Sequence, residues 1–107
     1  MKYTLRFLPA VEDDIITGYT WYEDKASGLG EDFIRMIYAG INNISRTPLF
    51  HPQVYGEYRR CLTRRFPYAI YYKIDEKKVI ILGLFHCARD PQKINHHLSN
   101  RNFPENA

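Results

Sequence analysis

Two consecutive strand patterns between Tyr68 and Phe85 constrain this fold more than any other feature of the sequence. From Tyr68 to Ile74, large apolar residues alternate with a second set, which is the period of a strand with one buried and one open face. After a short polar turn, the run from Val79 to Phe85 is apolar except at Gly83, which favours a strand buried on both faces. The buried face is assigned to Tyr68, Ile70, Tyr72 and Ile74, and the open face to Ala69, Tyr71 and Lys73. Such a pair of strands needs neighbouring strands and a covering layer of helix.

Two amphipathic helices are predicted ahead of these strands. Residues 2–8 alternate as a first strand, and Pro9 ends that strand and suits the first position of a helix. Apolar residues then recur at helical spacing to Tyr22 and, after a three-residue break, along a second helix to about Ser45. Because the connection is so short, we expect an antiparallel hairpin that packs on one face of the sheet and leaves the other face open.

The elements together predict an α+β fold in the order β-α-α-β-β-β, with the helical hairpin on one face of a mostly antiparallel four-stranded sheet. The stretch from Leu49 to Glu57 is assigned to a long connection because of its proline and glycine. Asp90 is a good N-cap and Pro91 a good first residue for a short C-terminal helix. We expect a single domain over residues 1–95 and a polar tail over residues 96–107.

The composition limits the class of protein. A chain of 107 residues with 45% hydrophobic residues can bury a core without disulfides or metals. No apolar run reaches the length of a signal peptide or a membrane span, so we expect a soluble, cytoplasmic protein with no membrane partner. Cys61 and Cys87 lack the spacing of a metal or redox site and are expected to be reduced thiols. His96 and His97 diverge on a helix, so neither a metal nor a cofactor is predicted.

Charge is distributed unevenly along the sequence. Residues 1–57 carry 5 basic and 8 acidic side chains, whereas residues 58–107 carry 10 basic and 4 acidic ones. A molecule with this asymmetry suits an acidic partner on its basic face, either a protein or a nucleic acid, and the attraction weakens with salt.

The stretch from Tyr58 to Pro91 also carries a family resemblance. The motif FPYAIYY, followed by a short hairpin, an apolar strand and HCARDP, resembles the RelE/ParE superfamily of bacterial toxins, and within it the ParE-like plasmid-stabilisation branch. The resemblance covers roughly residues 2–95. It implies the toxin of a type II toxin–antitoxin pair, held inactive by a cognate antitoxin encoded nearby, which inhibits growth by poisoning either DNA gyrase or translating mRNA.

Four arginines lie close together at the start of the stretch and are candidates for binding the target. Guanidinium groups recognise phosphates and carboxylates bidentately, and strand alternation sends these side chains to both faces. The alternative is a solvated edge strand that uses charge to avoid aggregation. The predicted target-binding residues are Arg59, Arg60, Arg64, Arg65, Tyr71, His86 and Arg89.

His86 and Arg89 follow the apolar strand, where side chains can lean over the rim of the sheet. If the protein is a ribonuclease, His86, Arg89, Glu57 and Arg65 are the candidates for acid/base cleavage of RNA. The alternative is structural: Arg89 ties the strand to the last helix, and His86 is a half-buried imidazole with its hydrogen bonds satisfied. The mRNA-cleaving branch typically has an arginine on the open face at the position of Ala69, and an alanine cannot stabilise a pentavalent phosphorane.

The aromatic residues of the two helices are expected first to pack in the core. Any that stay exposed mark the place where a helix of the antitoxin docks. The predicted antitoxin-binding residues are Tyr19, Trp21, Tyr22, Phe33 and Tyr38.

These observations favour a ParE-like toxin that binds DNA gyrase, traps its cleaved-DNA state and performs no bond chemistry itself. The alternative is a RelE-like, ribosome-dependent mRNA endonuclease that needs no metal. A third hypothesis is a non-toxic member that binds its partner and regulates their operon, with operator DNA contacted only through the antitoxin.

Overall fold

The computed structural model describes residues 3–101, which form a five-stranded sheet and three helices. In chain order the elements are β1 (Thr4–Phe7), α1 (Pro9–Lys25), α2 (Leu29–Arg46), β2 (Gln53–Tyr55), β3 (Tyr58–Leu62), β4 (Tyr68–Asp75), β5 (Lys78–His86) and α3 (Pro91–Asn100). The spatial order of the strands is β1-β5-β4-β3-β2. Only β1 and β5 pair in parallel, so the predicted α+β class and the mostly antiparallel sheet are confirmed.

The sheet has five strands rather than the four that the sequence predicted. The extra strand, β2, lies within the stretch assigned to a connection and pairs antiparallel with β3. Gly56, at a φ of 55°, supplies the left-handed turn that brings Tyr55 opposite Tyr58. A strand of three residues is too short to show an alternation of its own, so the pattern of the sequence missed it.

The main core lies between the helical hairpin and the sheet. The apolar stripe of α2 is buried against the strands, and Phe33 is completely enclosed. Its ring centroid lies 5.0 Å from that of Tyr68 and 5.5 Å from that of Phe66. Gly18 of α1 leaves room for this ring, since a Cβ at Gly18 would lie 2.5 Å from the Phe33 ring. The close packing of α1 on α2 therefore explains a glycine that weakens the helix by itself.

The second face of the sheet is not open, and that prediction was wrong. Ala69 and Tyr71 are as buried as their neighbours on the hairpin side. Tyr71 stacks on Tyr55 of β2, with ring centroids 6.1 Å apart, and contacts Phe85 at 5.9 Å. The helix α3, with Ile94 buried, packs against β5. The unpredicted strand β2 and the short helix α3 thus cover the face that the alternation assigned to solvent.

The helix α3 begins as the sequence predicted and continues into the stretch assigned to the tail. The Asp90 side chain accepts a hydrogen bond from the Gln92 N–H at 2.9 Å, which confirms Asp90 as the N-cap. The helix ends at Asn100, and Leu98 is buried. Residues 96–100 therefore pack with the domain, and the rest of the predicted tail, residues 102–107, lies outside the described residues.

A partly buried ion pair closes the edge of β5 beyond the point where β1 ends. The strand β1 pairs only with the first half of β5, which leaves the backbone from Leu82 onward without a strand partner on that side. The Leu84 N–H donates to Asp14 Oδ2 at 3.0 Å, and Arg101 Nη1 donates to the Leu82 carbonyl at 3.1 Å. Arg101 also holds Asp14 through two hydrogen bonds of 2.6 and 3.1 Å. A side chain from each end of the chain thus replaces the missing strand.

Candidate partner-binding surfaces

The loop after β3 and the turn after β5 meet at one end of the sheet. The Cys87 N–H donates to the Pro67 carbonyl at 2.8 Å, and His86 pairs in register with Tyr68. This junction brings Arg64, Arg65, His86 and Arg89 to one end of the sheet.

Arg65 is held by an acidic side chain of α2, whereas Arg64 is not. Arg65 adopts a φ of 70°, and its Nη1 lies 2.9 Å from Asp32 Oδ2. Among residues 3–101, no carboxylate lies within ion-pair distance of Arg64, which is exposed. Of the two, Arg64 is the guanidinium available to a partner.

Arg59 and Arg60 lie on opposite faces of the sheet, as alternation along β3 predicted. Arg59 pairs with Tyr72 on the hairpin side, and its Nη1 donates to the carbonyls of Leu49 at 3.2 Å and His51 at 2.6 Å. Its guanidinium therefore fixes the segment after α2. Arg60 pairs with Tyr71 on the far side, where burial and the neighbouring Tyr55 raise the pKa of the Tyr71 phenol and Arg60 opposes the rise. Tyr71 itself is enclosed rather than presented to a target.

His86 and Arg89 line a pocket of about 310 Å³ between α1, the end of β5 and α3. The His86 ring lies 5.2 Å from the Tyr68 ring, and its Nδ1 accepts a hydrogen bond from the Ala88 N–H at 3.0 Å. In the neutral ring the proton then lies on Nε2. The Arg89 guanidinium lies 5.3 Å from the centre of the Phe85 ring. Burial, with a contribution from Tyr22, raises the pKa of Tyr68, and the charge of Arg89 opposes this shift.

Glu57 is remote from His86. It lies in the turn before β3, whereas His86 aligns through Tyr68 with the residue just after that strand. Glu57 and Thr63 are six residues apart along the chain, which separates the two levels of the sheet by about 20 Å at the usual rise per residue. The four residues considered for acid/base cleavage are therefore not brought into one site: His86 and Arg89 share a pocket, Arg65 is paired with Asp32, and Glu57 lies at the other end of β3.

The aromatic residues assigned to antitoxin binding divide into buried and exposed sets. Phe33 is fully buried, so it cannot contact a docked helix directly, and Tyr22 packs against it with ring centroids 5.2 Å apart. Tyr19 is half-buried beside Gly30. Trp21 is 57% exposed, with Lys25 Nζ 4.1 Å from its ring centre, and Tyr38 is 51% exposed. Only these last two present a large part of the ring to a partner.

An apolar groove of about 490 Å³ lies at the edge of the sheet formed by β1. We call it the β1 groove; its lining residues are Phe7, Leu8, Pro9, Val11, Glu12, Ile15, Ile16 and Tyr38. Phe7 and Ile16 are 42% and 53% exposed and were not selected from the sequence. Ile16 could have indicated an exposed apolar surface from the sequence alone, because it lies one position away from the buried stripe of α1.

A second groove, of about 280 Å³, lies between α2 and β3, toward the opposite edge of the sheet. We call it the β3 groove; its lining residues are Met36, Ala39, Gly40, Asn43, Arg46, His51, Cys61, Leu62, Thr63 and Arg64. His51 Nε2 lies 3.0 Å from Asn43 Oδ1, and burial, assisted by the charge of Arg59, lowers the pKa of this histidine.

The two cysteines and the adjacent histidines do not form a joint site. Cys61 is buried, Cys87 is exposed and both are free thiols. His96 Nε2 lies 3.0 Å from Asn100 Nδ2, whereas the His97 ring stacks on Phe85 with centroids 5.7 Å apart. Among residues 3–101, no three histidine, cysteine or carboxylate side chains are grouped closely enough to hold a metal ion. No helix in the same range is long and apolar enough to cross a bilayer.

Residues 5–91 match the family model described as the ParE toxin of the type II toxin–antitoxin system parDE. The chain belongs to this ParE toxin family. A curated relative, Toxin ParE2 of Mycobacterium tuberculosis, is 24% identical over 104 residues, or 96% of this chain and 99% of the relative. Membership of this family assigns the chain the general function of a type II toxin. The resemblance carried by the HCARDP motif is confirmed.

Solved structures share the ParE-family fold. A chain from a chromosomal ParDE system of P. aeruginosa aligns with a TM-score of 0.67 at 14% identity, covering 79% of this chain and 96% of that one. A chain from the RelBE2 toxin–antitoxin complex of Mycobacterium tuberculosis aligns with a TM-score of 0.53 at 23% identity, covering 80% and 99%. At these identities the likeness concerns the fold alone, and both branches of the superfamily share it.

Proposed function

We propose that this ParE-family chain binds DNA gyrase and traps its cleaved-DNA state, and that a cognate antitoxin holds it inactive. The observation that carries the proposal is the separation of the groups that RNA cleavage would need. Glu57 lies about 20 Å from the level of His86 along the sheet. A general base and a general acid must both reach one scissile phosphate, and Glu57 does not reach the pocket of His86 and Arg89. Of the other titratable side chains that line this pocket, Asp14 is paired with Arg101 and His97 stacks on Phe85.

The environment of Ala69 also supports binding over catalysis. Ala69 pairs with Phe85 and is fully buried, so this position offers no cation to a developing phosphorane. Arg59 donates to main-chain carbonyls, and Arg65 is paired with Asp32. Neither of these arginines is therefore free to supply the positive charge that is missing at Ala69. Arg64 and Arg89 keep guanidinium groups that can recognise acidic groups of a protein target.

The exposed β1 groove is the surface that best fits a helix of the antitoxin. Its floor is apolar, and Phe7, Ile16 and Tyr38 expose large apolar area on both sides of it. Isolated exposed apolar residues are common, but a contiguous set around a groove of 490 Å³ is typical of a docking site for an amphipathic helix. Operator DNA is then contacted through the antitoxin.

Gyrase itself provides the direct test of the target. Purified gyrase with relaxed or supercoiled plasmid should yield linear DNA in proportion to added toxin, and induced cells should accumulate double-strand breaks while transcripts stay intact. Arg89→Ala should weaken this activity about tenfold or more, because truncating a charge-paired arginine leaves its partner unsatisfied. His86→Ala, beside it in the same pocket, is the matched control and should have a smaller effect.

The RelE-like alternative predicts the opposite result. It is retained because the RelBE2 chain shares the fold. Cleavage of mRNA within translated codons, abolished by His86→Ala with gyrase untouched, would establish it in place of the gyrase mechanism. An absence of growth inhibition in a susceptible host would instead favour the non-toxic regulator.

Antitoxin binding is tested separately by co-purification. The small protein encoded beside this chain should co-purify with it, and Tyr38→Asp should reduce that association because a charge is placed in the β1 groove. Thr20→Asp, exposed on the same hairpin but outside the groove, is the control. Equal losses for the two variants would contradict the assignment of the groove.

A further inference from the structure

We infer that the β3 groove is the surface through which this toxin docks on its protein target, and that it receives a segment carrying a carboxylate beside an apolar side chain. The inference rests on the proposed function, because it assigns a place on the molecule to the contact with that target. It concerns a surface separate from the β1 groove.

The two grooves lie on different flanks of α2. Gly40 faces β3, since a Cβ built on it would lie 2.8 Å from Ile70 Cδ1 and 3.9 Å from Cys61 Sγ. Tyr38 instead lines the β1 groove with residues of α1. At 100° per residue, these two positions of α2 are separated by about 200°. The two grooves therefore open on nearly opposite sides of α2.

The floor of the β3 groove is shallow and apolar. Ala39 and Gly40 carry almost no side chain, so a partner can approach the backbone of α2 closely. Leu62 forms one shoulder and is 60% exposed, although it lies in a strand of the sheet. Phe50 is 81% exposed and lies beside the groove, with its ring centroid 5.4 Å from that of His51. Exposed apolar side chains of this size around one groove mark a protein-binding surface.

The rim of the groove carries positive charge that nothing in residues 3–101 neutralises. Arg46 and Arg64 both line it, and no carboxylate of the described residues lies within ion-pair distance of either guanidinium. No aspartate or glutamate lines the groove. By contrast, Arg35 and Arg65 are both paired with Asp32. The unpaired guanidinium groups predict a carboxylate on the bound segment.

The apolar groups decide between a protein segment and a nucleic acid. A strand of RNA or DNA would be held by phosphate contacts together with aromatic stacking. The aromatic rings at this groove, Phe50 and His51, meet edge to face at 83°, so they do not form a pair of parallel rings on which bases could stack. The rest of the groove offers the apolar side chains of Met36 and Leu62 and the small residues of α2, which match an apolar side chain of a protein. An acidic, amphipathic segment satisfies both the charge and the apolar floor.

The test uses the full-length protein and matched charge reversals. The groove variant is Arg46→Glu/Arg64→Glu, and Leu62→Ser tests the apolar shoulder. The control is Lys77→Glu/Lys78→Glu, which makes the same change in net charge at the β4–β5 turn. Circular dichroism and thermal unfolding verify that each variant folds. Purified gyrase and the co-purified antitoxin are the two probes, and growth arrest on induction is measured in parallel.

The groove variants should bind gyrase at least about tenfold more weakly, which is the effect of reversing charges that pair across an interface. The gyrase affinity of the lysine control should stay within about twofold of the wild type, and so should the affinity of every variant for the antitoxin. Unchanged gyrase binding by both groove variants would overturn the inference, as would equal losses for the groove variant and the lysine control. Cross-linking of DNA or RNA, instead of a protein segment, to the β3 groove would overturn the inference as well.

Failure of the proposed function is distinguishable from failure of the groove assignment. If the wild-type protein arrests growth without binding gyrase, the gyrase mechanism fails, and growth arrest becomes the measure of the groove. Groove variants that then still arrest growth overturn the assignment, whereas variants that lose arrest and keep the antitoxin support it for another protein target.

Discussion

Phe66 shows how one side chain can stabilise both a loop and the core. It is 6% exposed and lies between the hairpin and the sheet, with its ring centroid 4.7 Å from that of Tyr22. Phe66→Ala is expected to lower the free energy of unfolding by about 3 to 5 kcal/mol, since it opens a cavity among aromatic rings. Arg64→Ala, two positions earlier and exposed, should change it by less than about 0.5 kcal/mol. A urea titration measures both, and similar small losses would contradict the burial of this loop.

Tyr72 is the residue for which alkaline pH has the clearest consequence. Its hydroxyl donates to the Pro48 carbonyl at 2.5 Å, and burial raises the pKa of the phenol to about 12, with Arg59 opposing the shift. Because the unfolded chain loses this proton near pH 10 and the folded chain keeps it, stability is fully present below pH 10 and falls as the pH rises toward 12.

Tyr72→Phe should therefore flatten part of the fall in stability between pH 10 and 12, although it loses the hydrogen bond to Pro48 at neutral pH. Thermal unfolding across this range, compared with the wild type, is the measurement. A fall of the same steepness in the variant would show that the other buried tyrosines carry the effect.

At the level of elements, the edge of β5 depends on Asp14 and Arg101. Both side chains are largely buried, at 14% and 18% exposed. Arg101→Ala leaves the Asp14 carboxylate and the Leu82 carbonyl without their partner. It is expected to lower the free energy of unfolding by about 3 kcal/mol, the lower end of the range for breaking a buried pair.

Amide hydrogen exchange should report the same loss locally, with faster exchange at Leu84 and in α3. Arg35→Ala is the control: its pairs with Glu31 and Asp32 lie on an exposed face of α2, and it should change stability by less than about 0.5 kcal/mol. Equal effects of the two substitutions would show that the edge is closed by other contacts.

The elements also show what the sequence can and cannot predict. The hairpin, the doubly buried strand β5 and the cap at Asp90 were predicted because each depends on spacing within one short segment. The covering of the far face was not predicted. The alternation in β4 shows which side chains share a face, but it does not show which other elements cover that face. Tyr71 counts as open in such a pattern until Tyr55 and α3 are placed over that face. Phe33 was likewise assigned to a partner because a stripe of aromatics does not show which members the second helix encloses.

The candidate surfaces were predicted in part for the same reason. Arg64 and Tyr38 were selected by residue type, and the structure places each at a groove. Arg46 and Phe7 were missed, since their neighbours in the grooves come from other elements of the chain. Asp14 and Arg101 are separated by 87 positions, and no local pattern links them.

At the scale of the whole molecule, the two grooves should respond differently to salt. The β3 groove has arginines at its rim and no carboxylate, whereas the β1 groove is apolar with Glu12 at its side. Raising the salt from 50 to 200 mM should therefore weaken gyrase binding roughly fivefold, because the association rate becomes slower. Antitoxin binding should change by less than about twofold over the same range. Stopped-flow or biosensor rates measure both, and an equal salt response would contradict the separation of the surfaces.

The pairing of Asp14 with Arg101 has a consequence for synthesis of the toxin on the ribosome. The hairpin and all five strands precede Arg101 in the chain, so β5 leaves the ribosomal tunnel before the side chain that closes its edge. During that interval the last half of β5 has a free edge and the far face of the sheet lacks α3. Completion of this edge therefore waits for the emergence of one late side chain, and a nascent chain presents backbone donors and acceptors that the finished protein has closed.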